Sequence, residues 1–191
     1  MIRSYVAALA LLALVTGCSG DEGEPSDAPA PEASPTQATA AAVDPDAIRS
    51  GLVALWVGDD ESSEDAATGT CFADALVASA TPAELRDVGI LDASYAVVPA
   101  LGDLTREGAS LWVDAQFACS DLVSESGRAQ VAATKGKVDR VAYETCLRAA
   151  VTEEQLREVA VSSLLGDLSG DAVAAFSAAQ LDCVQEALPA E

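Results

Sequence analysis

The sequence predicts an all-α domain of seven or eight helices, stapled by disulfides and built as two divergent repeats. Three observations carry this expectation. Capping and turn residues punctuate the chain from Pro45 to Glu191 at helix lengths. Apolar residues recur there at helical spacing, with only Tyr95-Ala96-Val97-Val98 passing for a short strand. Four cysteines occupy matching places in two similar stretches. The expected organisation is an N-terminal segment 1–17, an acidic segment 18–44, and a helical domain 45–191 with repeats at about 46–124 and 125–191.

The N-terminus opens with Arg3 in a short positive region, followed by a nearly apolar run from Tyr5 to Thr16. Such a run is too short for a helix across a bilayer core of about 30 Å, but suits the apolar region of a signal peptide. It ends in Leu14-Val15-Thr16-Gly17-Cys18. This ending resembles the bacterial lipobox. The resemblance implies cleavage after Gly17 and lipidation of Cys18, which would anchor the chain on the extracytoplasmic side of the cell membrane. Residues 19–43 hold Pro25, Pro29, Pro31 and Pro35 among five carboxylates, with no basic or aromatic residue. Such a stretch cannot bury enough apolar surface to offset its conformational entropy, so a disordered tether is expected. Twenty-five flexible residues span about 25–30 Å.

Asp44-Pro45 is a strong helix start: an N-cap carboxylate followed by the ring that presets the first turn. Ile48, Leu52 and Leu55 follow at helical spacing. Thr81-Pro82-Ala83-Glu84 and Thr152-Glu153-Glu154-Gln155 are capping boxes, with Gly89 and Gly166 placed as stops. Leu111, Ala115, Cys119 and Leu122 share one helical face. Val131, Val138, Val141 and Thr145 suggest a helix before Cys146, and Val173, Phe176, Gln180, Cys183 and Ala187 another. Gly166 to Gly170 reads as a helix–helix connection.

The repeat is visible in the order of motifs. Thr81-x-x-x-Leu85-Arg86-Asp87-Val88 matches Thr152-x-x-x-Leu156-Arg157-Glu158-Val159, and Ala115-Gln116-Phe117-Ala118-Cys119 matches Ala179-Gln180-Leu181-Asp182-Cys183. Cys71 and Cys146 each precede a capping box. Without Cys18, four cysteines allow three pairings. The repeat favours Cys71–Cys119 and Cys146–Cys183, one bond in each copy. Zinc thiolates usually come in Cys-x-x-Cys pairs and a redox dithiol uses the same motif, and there is none. The arrangement resembles the two-cysteine helical repeats of proteins secreted by high-GC Gram-positive bacteria, a group with no activity to carry over. The composition agrees, with 40 alanines and eight Arg against two Lys.

Function classes narrow by exclusion. The chain has no histidine and a formal charge of −21. A His-dependent triad and His-ligated zinc or haem are impossible, and the charge argues against nucleic-acid binding. No cofactor is expected. The run Asp59-Asp60-Glu61-Ser62-Ser63-Glu64-Asp65 offers oxygen ligands for Ca²⁺, but departs from the EF-hand pattern at Glu64 and Thr70 and reads as a solvated loop. Arg128, Lys135, Lys137 and Arg140 form one basic cluster, either a site for an acidic partner or a solvated helix face. The expected role is therefore non-enzymatic: an interaction or structural function at the cell envelope, with a possible envelope protein as partner. The alternative is a module holding an apolar or cationic ligand between its helices.

Overall fold

The computed structural model of the chain describes residues 43–58 and 63–189. Eight α-helices follow one another: α1 (Pro45–Val57), α2 (Ser63–Ser79), α3 (Pro82–Asp87), α4 (Arg106–Cys119), α5 (Leu122–Ala133), α6 (Arg140–Ala150), α7 (Glu153–Leu164) and α8 (Asp171–Ala187). The segments 1–17 and 18–42, Cys18 and Asp59–Ser62 lie outside the described residues.

The helices form two units of four with the same plan. An Asp N-cap opens each: Asp44 accepts from the Asp46 and Ala47 amides at 3.0 and 3.4 Å, and Asp121 from those of Val123 and Ser124 at 3.0 and 3.2 Å. The second unit thus opens at Asp121. The second helix of each unit carries the first cysteine. The third begins at a capping box, Thr81 with Glu84 or Thr152 with Gln155. The fourth closes the unit with the second cysteine. Cys71 is bonded to Cys119 and Cys146 to Cys183, with Cα–Cα distances of 5.7 and 5.5 Å. Each bond clamps the second helix to the fourth.

The two units are filled differently. In the first, Phe72 lies between Trp56 and Trp112, stacked on the first and tilted against the second, with ring centroids 4.6 and 4.5 Å apart. Leu52, Leu76, Leu85, Ile90 and Val113 close around this stack. The second core is smaller, built on Val123, Val138, Tyr143, Leu147, Leu156, Cys183 and Ala187. The units join through α4 and α7. Val161 of α7 enters the first core, and Phe117 of α4 packs against both. Arg157 lies over the Phe117 ring, 4.3 Å from its centroid, and pairs with Asp114 and Glu153.

Three local expectations change. Tyr95 to Val98 is not a strand. Residues 90–98 form a short hairpin-like strap with a single antiparallel bridge, Leu91 to Val97. An Asx turn stabilises it: Asp92 accepts from the Ser94 and Ala96 amides at 2.8 and 3.0 Å. Tyr95 sits in the left-handed region at φ 66°, held by a 2.8 Å hydrogen bond from Arg86 to its hydroxyl. Val131 and Val138 do not share a helix. A left-handed turn at Lys135 (φ 55°) and Gly136 (φ 80°) ends α5, and Val138 is buried while Val141 is exposed. Lastly, α4 buries Ala109, Trp112, Val113 and Ala115, leaving Leu111 half-buried, and Leu122 belongs to α5.

Gly89 does stop α3, at φ 88°, and a Cβ there would lie 2.7 Å from the Asp103 carbonyl oxygen. Gly166 at φ 73° ends α7, and the connection to α8 takes only residues 165–170.

Candidate functional site

An open groove of about 660 Å³ runs along the second unit. Its long walls are α5 and α7, with Phe176 and Gln180 of α8 and Gln116 of α4 at its sides. Leu122, Ala129, Leu156, Val159, Ala160, Leu164 and Phe176 make it largely apolar. The faces are apolar because α5 and α7 present small and branched residues at helical spacing.

Polar groups are spaced along this surface. Ser126 bonds to the buried Tyr143 hydroxyl at 2.7 Å and receives a 2.9 Å hydrogen bond from the Gln180 amide. This network satisfies the Tyr143 hydroxyl inside the second core. The side chains of Gln116 and Gln130 also border the groove. They make no side-chain hydrogen bond among the described residues. Glu125 is tied to Arg128, whose guanidinium also reaches Glu64 at 2.7 Å. These carboxylates raise the Arg128 pKa. Asp121 caps the end of α5. Burial alone would raise its carboxyl pKa, but the Arg148 hydrogen bond and two backbone amides hold it below its ordinary value.

A second concavity, about 690 Å³, lies in the first unit between α1 and the strap. Ala47, Gly51, Ala54 and Leu55 of α1 form one side, and Tyr95 to Pro99 the other. A Cβ on Gly51 would approach Val97 to 2.8 Å, so the strap rests directly on the helix.

The other sequence candidates are distributed as follows. The four domain cysteines come together as the two disulfides. Of the acidic run, Glu64 and Asp65 start α2, and no group of three or more potential ligands converges on a metal position among the described residues. The basic cluster is not one helix face: Arg128 is on α5, Lys135 and Lys137 are in the turn, and Arg140 begins α6 and pairs with Glu144 at 2.5 Å. Every described arginine is paired with a carboxylate. Among the described residues, no helix is long and apolar enough to cross a membrane. The groove itself was not singled out from sequence. Its lining comes from four helices, α4, α5, α7 and α8, which no local motif joins. No protein-family model matches the chain, and no curated protein and no solved structure matches it either.

Proposed function

We propose that this chain is an extracytoplasmic lipoprotein, anchored to the cell membrane through Cys18, that acts by binding an envelope protein and not by catalysis. The observation that supports it best is the open apolar groove on α5 and α7. Its length and openness suit contact with another macromolecule. The titratable group on its edge, Glu125, is committed to Arg128. The Leu14-Val15-Thr16-Gly17-Cys18 ending supplies the anchor.

A second reading is favoured by the size of the groove. A volume of about 660 Å³ falls within the range of small-molecule sites, so an apolar ligand held between α5 and α7 is the competing function.

The test is fractionation and photo-crosslinking in cells. The full chain should sit in the membrane fraction and Cys18→Ala in the soluble fraction. A photoreactive residue in place of Ala129 should capture one envelope protein in stoichiometric yield, and lose it in the Cys18→Ala background. Membrane retention of Cys18→Ala would sink the anchor. No captured protein would move the function to the small ligand.

A further inference from the structure

The two disulfides differ in how a thiol can reach them. Cys71 is exposed on α2, and Cys119 is half-buried at the end of α4. Cys183 is 1% exposed within the second core, and Cys146 is half-buried against it. Exchange needs a thiolate to reach one sulfur while the other leaves as a thiolate. In Cys71–Cys119 both residues meet solvent, so one sulfur can be attacked and the other can leave towards water. In Cys146–Cys183 the core shields Cys183 from attack. Cys146 does border a shallow concavity with Ala142, Thr145 and Ala149. Attack there, however, would release Cys183 as a thiolate in an apolar core, where burial disfavours the charge.

The bonds also differ in what they hold. Phe72, Ala73 and Leu76 seat α2 in the first core, and Ala109, Trp112, Val113 and Ala115 seat α4 there. Beyond Ala115 no residue of α4 is buried, so the bond secures only the last turn, Gln116 to Cys119. That turn is the joint between the units. Phe117 packs against both cores beneath Arg157, and Gln116 borders the α5–α7 groove. Cys183, in contrast, is itself a core residue of the second unit.

We propose that Cys71–Cys119 is a thiol-exchange site, opened by a dithiol while Cys146–Cys183 stays closed, and that opening frees the last turn of α4 at the joint. One thiolate of the dithiol bonds to a protein sulfur and displaces the other. The second thiolate then displaces the bound sulfur and closes the reagent into its own disulfide. Two electrons pass to the protein bond, and two protons end on the Cys71 and Cys119 thiols. The first unit keeps its aromatic core, so the site is a reversible clamp on the joint. This inference does not depend on what occupies the groove.

The test treats the full chain with dithiothreitol at neutral pH, without denaturant, and quenches samples over time with N-ethylmaleimide. Peptide mapping should find Cys71 and Cys119 alkylated about tenfold sooner than Cys146 and Cys183. At that stage tryptophan emission should keep its native position, because Trp56 and Trp112 still flank Phe72. Hydrogen exchange should quicken several-fold at Ser120, whose amide bonds to the Gln116 carbonyl at 2.9 Å, and stay slow in α6 and α8. Cys71→Ser/Cys119→Ser should show the same pattern without the dithiol.

Opening of Cys146–Cys183 first, or of both bonds together, overturns the inference. So does opening that requires enough denaturant to unfold the chain. Selective opening that shifts tryptophan emission to its unfolded position would make the bond a purely structural clamp. Selective opening with unchanged exchange at Ser120 would remove the joint from its control. Either result defeats the proposal.

Discussion

The first four-helix unit centres on aromatic rings, whereas the second places smaller or more exposed groups at the matching positions. Phe72 corresponds to Leu147, Trp112 to Phe176 and Trp56 to Val131. Phe72 is fully buried, while Phe176 and Val131 are half-exposed. Among the described residues, the four most exposed large apolar side chains, Val141, Leu168, Leu181 and Leu188, all belong to the second unit. Both units share the caps, the disulfide and the helix order. The comparison teaches that this scaffold is specified by its ends and its clamps, and that the filling between them can vary. A unit whose cap residues and disulfide hold its frame tolerates a thinner core.

The largest expected effect separates the units by their dependence on the clamp. Closing loops of 48 and 37 residues is worth about 4 kcal/mol each in the chain-entropy model, with less often realised. The Cys146→Ala/Cys183→Ala variant should lose slow hydrogen exchange throughout α6 and α8 while α2 and α4 stay protected. The Cys71→Ala/Cys119→Ala variant should destabilise the first unit yet leave its aromatic core folded. Uniform loss of protection across all eight helices in either variant would mean that the units are one cooperative body.

A middle-sized effect tests the strap. Gly51→Ser places in α1 the residue that α5 carries as Ser126, and forces it against Val97. Overpacking of this kind costs about 1–3 kcal/mol. Thermal unfolding should register it, with faster exchange at Ala96 and Val98. A change below about 0.5 kcal/mol, within the range of ordinary surface substitutions, would show that the strap does not bear on α1.

The smallest effect concerns the capping boxes. Glu84 accepts from the Thr81 amide and hydroxyl, both at 2.7 Å, and these bonds hold its carboxyl below the ordinary 4.5. Its stabilising contribution is thus complete above the unfolded value and is lost as pH falls through the lower folded value. Gln155, in the same place on α7, does not titrate. The Thr81 amide resonance should show an inflection below pH 4.5, with none at Thr152, and Glu84→Gln should abolish it. An inflection at or above 4.5 would contradict the carboxylate's role in the cap.

Much of this frame was legible because caps and clamps are local or sparse. Thr81, Glu84, Thr152 and Gln155 act within four residues of chain, and four cysteines leave few pairings. The helix boundary at Lys135 was not legible, because a lysine in the left-handed region is uncommon and tertiary packing of Val138 fixes the turn. The strap looked like a strand because Tyr95 to Val98 has strand composition. Its place on α1 depends on contact between residues some 45 positions apart, between Gly51 and Val97, which periodicity does not report. The groove was hidden for a further reason. It is assembled from residues of α4, α5, α7 and α8, far apart in the chain, and no local pattern brings them together.

The turn between α5 and α6 has a practical consequence for chemical labelling. Lys135 and Lys137 are the only lysines in the chain, and both are exposed on either side of Gly136. Every side-chain amine of the protein therefore lies in one tight bend. Amine-coupled dyes or biotin would reach side chains at that bend alone, with the α-amino group as the other reactive amine. Conversely, crosslinks formed through lysine side chains would sample their surroundings from that bend alone, so the absence of such crosslinks would say nothing about the groove.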